Sequence, residues 1–125
     1  MGTQAVAKQT SKVVIWHNPS CGSSRNALEH LRAKGIEPEI YLYLKERPKR
    51  AEIEAVLKRL KATPAELLRP KQPEGEAAGV YAPGVSGEAI LAAMEREPIL
   101  IQRPVVITPK GAVIARPKDK IDALL

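Results

Sequence analysis

Apolar and polar residues switch repeatedly between the period of a strand and the period of a helix. Residues 13–17 run Val-Val-Ile-Trp-His into Asn18-Pro19-Ser20, the pattern of a short buried strand ending in a turn. From Ser23 or Ser24 onward, Ala27, Leu28 and Leu31 share one helical face, and Gly35 is placed to end that helix in the left-handed conformation. Residues 36–44 alternate, with Ile40, Leu42 and Leu44 on one side, which predicts a second strand. Helical spacing returns after Arg47-Pro48 in Ile53, Val56, Leu57 and Leu60, and Thr63-Pro64-Ala65-Glu66 is a capping box that opens a short new helix. Ser86 can cap a further helix with Ile90, Leu91 and Met94 facing inward, ending before Pro98.

Two strands close the pattern, Val105–Thr108 and residues 112–115, joined by Pro109-Lys110-Gly111 as a hairpin turn, and residues 118–125 predict a final helix. Residues 70–87 stand apart. They hold Pro70, Pro73, Gly75, Gly79, Pro83, Gly84 and Gly87, and read as a long connector, either a mobile flap or a site-forming loop. The order is strand, helix, strand, then helices, a hairpin and a helix. With a right-handed crossover in the first unit, it predicts an α/β fold: a mixed four-stranded sheet with helices on both faces.

Composition fits one small globular domain over residues 13–125, preceded by a flexible tail at 1–12: of 125 residues, 44% are apolar and 27% charged. No window approaches the run of about 18 apolar residues that a membrane span needs. The first residues have neither a secretory hydrophobic stretch nor a myristoylation pattern, so a cytoplasmic protein is expected, with no membrane partner. The net charge of +6 raises the question of nucleic acid, but its distribution answers it. Residues 1–62 carry 12 basic and 6 acidic side chains and residues 63–125 carry 8 of each, so the surplus lies on the tail and on the solvated face of one helix. Aromatic rings are few and do not interleave with the basic residues as a base-stacking surface requires, so no nucleic-acid partner is expected.

Cys21 is the sole cysteine, so it is either an inert core residue or a working thiol. Its neighbours, Pro19, Ser20, Gly22, Ser23 and Ser24, make a polar turn where the first strand passes into the first helix. Unpaired N–H groups and the positive end of the helix dipole converge at such a junction and stabilise a thiolate or an oxyanion. Arg25 adds a nearby cation, and His17 at the strand end either tunes the thiol or serves the structure. A tyrosine-phosphatase loop is excluded, because the sixth residue after Cys21 is Ala27 rather than Arg. Dithiol exchange of the thioredoxin type is excluded because Ser24 stands where the second cysteine belongs. Any adduct on Cys21 must therefore be resolved by a thiol from another molecule. Cys21, His17 and His30 lack metal-site spacing, so no metal and no bound cofactor are expected. Arg69 borders the long connector, while Arg103 and Arg116, each before a proline, flank the hairpin and come to one end of the sheet. Converging guanidinium groups there suit a tetrahedral oxyanion.

The runs His17-Asn18-Pro19-Ser20-Cys21-Gly22-Ser23-Ser24-Arg25-Asn26, Leu67-Leu68-Arg69, Pro98-Ile99-Leu100-Ile101-Gln102-Arg103-Pro104-Val105-Val106 and Arg116-Pro117 resemble the glutathione- and glutaredoxin-coupled arsenate reductases. The resemblance is collinear over about residues 13–125. It implies a thioredoxin-like fold, Cys21 as nucleophile, arsenate or a similar oxyanion held by Arg69, Arg103 and Arg116, and a thiolate supported by His17 and Ser24. It also implies a cis peptide before Pro104, glutathione as co-substrate and a glutaredoxin as partner. Two other readings share parts of the pattern. A redox-sensing regulator that binds RNA polymerase has this fold but carries a Cys-x-x-Cys pair that Ser24 breaks. A glutathione-dependent iron–sulfur carrier matches only Cys21-Gly22-Ser23-Ser24 and leaves Arg103 and Arg116 without a role.

Overall fold

The computed structural model describes residues 12–125; the expected flexible tail at 1–12 lies outside the described residues except for its last residue. The chain falls into two compact units, one formed by residues up to Leu42 together with Arg103–Leu125, the other by Tyr43–Gln102. The first holds strands β1 (Val14–Trp16), β2 (Glu39–Tyr41), β3 (Val105–Thr108) and β4 (Gly111–Ile114), with helix α1 (Gly22–Ala33) and a 3-10 helix over Lys118–Leu124. The sheet order is β2-β1-β3-β4. β1 runs parallel to β2 with Ile15 opposite Ile40, and antiparallel to β3 with Ile15 opposite Val106, so the sheet is mixed as expected.

One face of this sheet owes its cohesion to a cluster of Ile15, Ala27, Leu28, Leu31, Val106, Ala115 and Ile121. Ala27, Leu28 and Leu31 recur at helical spacing and Ile15 and Val106 face each other across β1 and β3, so each element contributes the side its sequence period selects. Fully buried side chains such as Ile15 and Leu31 are each worth about 1.5–3 kcal/mol of burial. Val14, Trp16, Val105 and Ile107, on the opposite face, are buried too. At the end of α1 the Gly35 N–H bonds to the Arg32 carbonyl, and Gly35 has φ +79°, the left-handed stop that its position predicted.

The second expected strand is shorter than its alternation suggested. β2 covers only Glu39–Tyr41, and Tyr43–Glu46 turns into a short helix, α2. Ile40 is 38% exposed because β2 is an edge strand, and Tyr43, in α2, is buried at 1%. The closing segment is likewise tighter than a regular helix, a 3-10 helix from Lys118 to Leu124 that buries Ile121.

The second unit is helical. Helices α3 (Arg50–Leu60), α4 (Pro64–Leu67), α5 (Pro73–Ala78) and α6 (Gly87–Arg96) follow one another, and a 3-10 turn spans Pro98–Leu100. The capping box is present at α4: Thr63 Oγ1 accepts the Glu66 N–H and Glu66 Oε1 accepts the Thr63 N–H. Ser86 caps α6 by accepting the Ala89 N–H at 3.1 Å. The long connector is not structureless, because α5 lies inside it. The same residues that read as breakers act as its signals: Pro73 occupies the first turn, where its missing N–H costs nothing, and Gly79, at φ +72°, ends the helix. Among the described residues, no helix is long and apolar enough to cross a membrane.

Candidate active site

The turn between β1 and α1 is organised by one side chain, that of Asn18. Asn18 Oδ1 accepts the Ser20 N–H at 3.0 Å, and the Asn18 carbonyl accepts the Cys21 N–H at 3.0 Å. Asn side chains characteristically bond the backbone two residues on, and that habit was the available signal. Cys21 is thereby set at the N-cap of α1 in extended conformation (φ −104°, ψ 126°), with its carbonyl accepting the Arg25 N–H at 3.0 Å. No acidic residue occupies the first turn of α1, so its N–H groups face the thiol without a competing carboxylate.

Cys21 is partly exposed and titrates below the ordinary thiol range. Burial pushes the thiol up, but the Ser24 N–H, the charge and hydrogen bond of the Arg103 guanidinium, and the Ser23 N–H together outweigh it. These donors converge where an oxyanion at the sulfur would also be bound. Arg103 Nε is buried without a hydrogen-bond partner, a further donor held ready beside the sulfur.

His17 and Ser24 form a buried pair behind the turn, 6% and 0% exposed, with His17 Nδ1 and Ser24 Oγ 2.6 Å apart. Burial first, then the charges of Arg32 and Arg25, hold His17 below the usual imidazole range, so the ring is neutral at pH 7. Ser24 Oγ also accepts the Asn18 N–H at 2.9 Å. His17 therefore bears on Ser24 and the turn, whereas the main chain of Ser24 bears on Cys21.

Arg25 reaches back across the turn, its Nη1 donating to the Pro19 carbonyl at 2.9 Å. Arg103 and Arg116 come to one end of the hairpin as expected, with Val105 opposite Ile114 and the Ala115 N–H bonded to the Pro104 carbonyl at 2.9 Å. Arg103 is half-buried at the thiol, and Arg116 is exposed. The Arg103–Pro104 peptide is cis, as the resemblance implies, and the Arg116–Pro117 peptide is cis as well. Arg69 belongs to the second unit. It follows α4, and its N–H bonds to the Leu100 carbonyl at 2.7 Å beside a bridge between Leu68 and Ile101. Among the described residues, no group of three or more His, Cys, Asp or Glu side chains is placed to hold a metal ion.

The first unit thus places a thiol whose anion is favoured, main-chain donors and a guanidinium at one point, an arrangement suited to attack on an oxyanion. Known proteins resemble the chain as a whole. The chain is 42% identical over 109 residues to an arsenate reductase of Rhizobium meliloti, covering 87% of this chain and 78% of that protein. It is 36% identical over 115 residues to an arsenate reductase of Escherichia coli strain K12, covering 92% and 82%. The solved structure of an arsenate reductase from Vibrio cholerae superposes with a TM-score of 0.87 at 31% identity, covering 92% of this chain and 99% of that one, and the fold is thioredoxin-like. With the model of the ArsC family matching residues 16–124, this chain belongs to the ArsC family.

Proposed function

We propose that this protein is an arsenate reductase that works through a thiol-arsenate intermediate on Cys21, resolved by glutathione and a glutaredoxin. The observation that carries the reading is the lone thiol at the open end of α1, its anion favoured by the Ser24 and Ser23 N–H groups and by Arg103. Cys21 Sγ attacks arsenic, a sulfur–arsenic bond forms and water leaves. Arg103, with Arg69 and Arg116, binds the oxyanion and its adducts, for which guanidinium forks are well shaped. Arg25 holds the turn and adds positive charge there. His17 and Ser24 brace the turn from behind, the Ser24 hydroxyl bonding both His17 and the Asn18 N–H.

A glutathione thiol then displaces a second oxygen on arsenic, again as water. The glutaredoxin thiolate attacks the glutathione sulfur, giving a mixed disulfide and leaving the electron pair on arsenic, which falls from As(V) to As(III). Hydrolysis of the remaining sulfur–arsenic bond releases arsenite and returns the Cys21 thiol. Two external thiols are oxidised for each arsenate reduced, as a chain with one cysteine requires. Such thiols are maintained in a reducing compartment, which supports a cytoplasmic location.

The test couples the protein to glutathione, glutaredoxin, glutathione reductase and NADPH. Arsenate-dependent NADPH oxidation is expected, and Cys21→Ser is expected to reduce it to background, with the intact-protein mass showing an adduct on Cys21 only in the unsubstituted chain. Absence of arsenate-dependent turnover, or full activity in Cys21→Ser, would sink the reading.

A further inference from the structure

The Tyr81 hydroxyl lies across the mouth of the turn that begins at Arg69. It donates to the Arg69 carbonyl and accepts the Gln72 N–H at 3.0 Å, so one oxygen joins both ends of Arg69-Pro70-Lys71-Gln72. Lys71 sits at φ 61°, a left-handed conformation that a side-chain-bearing residue adopts only under constraint. The Arg69 N–H is bonded separately to the Leu100 carbonyl, so the main chain of Arg69 is fixed on both sides. Its carbonyl accepts the Tyr81 hydroxyl.

The tyrosine is brought there by α5. Gln72 caps α5, Gly79 ends it, and the Val80 N–H bonds to the Gly75 carbonyl at 3.1 Å, which turns the chain back over the helix. The hydroxyl end of the ring then packs against Gly75: a Cβ at that position would stand 2.5 Å from two ring carbons and from the hydroxyl oxygen. Gly75 is therefore the slot for the ring, and the buried Val80 anchors the return.

We propose that Tyr81, seated on Gly75, is a positioning residue for Arg69 and sets the affinity of the protein for its oxyanion. The inference rests on the reading of Arg69 as an oxyanion ligand. Removing the hydroxyl leaves the Arg69 carbonyl and the Gln72 N–H without this bridge, and the constrained turn is free to relax. The direction of the Arg69 side chain then spreads, which weakens oxyanion binding while the thiol chemistry is untouched.

Steady-state kinetics of Tyr81→Phe, Arg69→Ala and the double variant test this. Tyr81→Phe is expected to raise KM for arsenate about threefold to thirtyfold, with kcat and the rate of Cys21 alkylation by iodoacetamide unchanged. In the Arg69→Ala background the same substitution is expected to change KM by less than about twofold, because Tyr81 acts through Arg69. Gly75→Ala, which displaces the ring while leaving the hydroxyl in the chain, is expected to raise KM in the same direction. An unchanged KM in Tyr81→Phe beside a raised KM in Arg69→Ala overturns the role of Tyr81 and leaves that of Arg69 standing. An unchanged KM in Arg69→Ala overturns both. An equal rise with and without Arg69 shows that Tyr81 acts elsewhere and overturns the proposal.

Discussion

The turn at residues 17–25 and the segment at residues 69–81 each present a residue proposed to meet the oxyanion, yet they are held by bonds of different reach. In the first, Asn18 bonds Ser20 and Cys21, Ser24 bonds His17 and Asn18, and Arg25 bonds Pro19, so no bond between these residues spans more than seven positions. In the second, Tyr81 bonds across nine and twelve positions, and the Arg69 N–H reaches Leu100. Loop-closure cost rises with the length closed, so the first turn, apart from the His17 N–H bonded to the Tyr41 carbonyl at its strand end, is specified by its own few residues, and the second only once distant chain has folded beside it. Chemistry sits where the local sequence is sufficient; affinity is adjusted where it is not.

Of the groups that favour the Cys21 thiolate, Arg103 alone lies outside the turn, and removing it measures how much of the thiol's activation is local. Arg103→Ala deletes a charge and a hydrogen bond that favour the thiolate, while burial continues to oppose it. The midpoint of Cys21 alkylation against pH is expected to move up toward the ordinary thiol value of about 8.5, and kcat/KM for arsenate to fall on the order of 100-fold. Since the folded thiol titrates low, the loss of reactivity should be largest below that ordinary value and should shrink as pH rises past it. An unmoved midpoint would mean that the Ser24 and Ser23 N–H groups suffice and that the turn is wholly self-contained.

That difference in reach also explains what could be read in advance. The β1 strand, α1 and its Gly35 stop, the capping box at Thr63, the Ser86 cap and the hairpin all follow from signals a few residues long, and each is present. The junction containing Cys21 was legible for the same reason. β2 was overextended because alternation over residues 36–44 does not reveal that the strand is an edge and that Tyr43 begins a helix. The helix inside the connector is not legible, because Pro73 and Gly79 mark a helix start and stop as well as they mark a loop. No local pattern announces a tyrosine whose partner is a carbonyl twelve residues earlier.

Ser24→Ala separates the two duties of Ser24. Its hydroxyl serves His17 and Asn18 from a fully buried position, whereas its N–H serves the thiolate. Deleting the hydroxyl leaves the Asn18 N–H without its acceptor, and a loss of about 1–3 kcal/mol in urea-unfolding stability is expected. The alkylation midpoint of Cys21 should stay where it is, because the main-chain donors remain. A midpoint that rises with the loss of stability would show that the hydroxyl, too, is part of the electrostatics of the thiol.

The smallest effect is expected in the other segment, at Lys71. Glycine adopts the left-handed conformation freely, so Lys71→Gly relieves strain of about 1 kcal/mol but gives the unfolded chain more freedom to lose, and the net change in stability should stay within about 1 kcal/mol of zero. If the turn after Arg69 is held from a distance, the Tyr81 hydroxyl still joins Arg69 to Gln72 in this variant, and KM for arsenate should change by less than about twofold. A rise in KM as large as that of Tyr81→Phe would place the control of Arg69 in the residues of the turn itself. The segment would then be as local as the thiol turn, and the division between chemistry held by near bonds and affinity held by far ones would not stand.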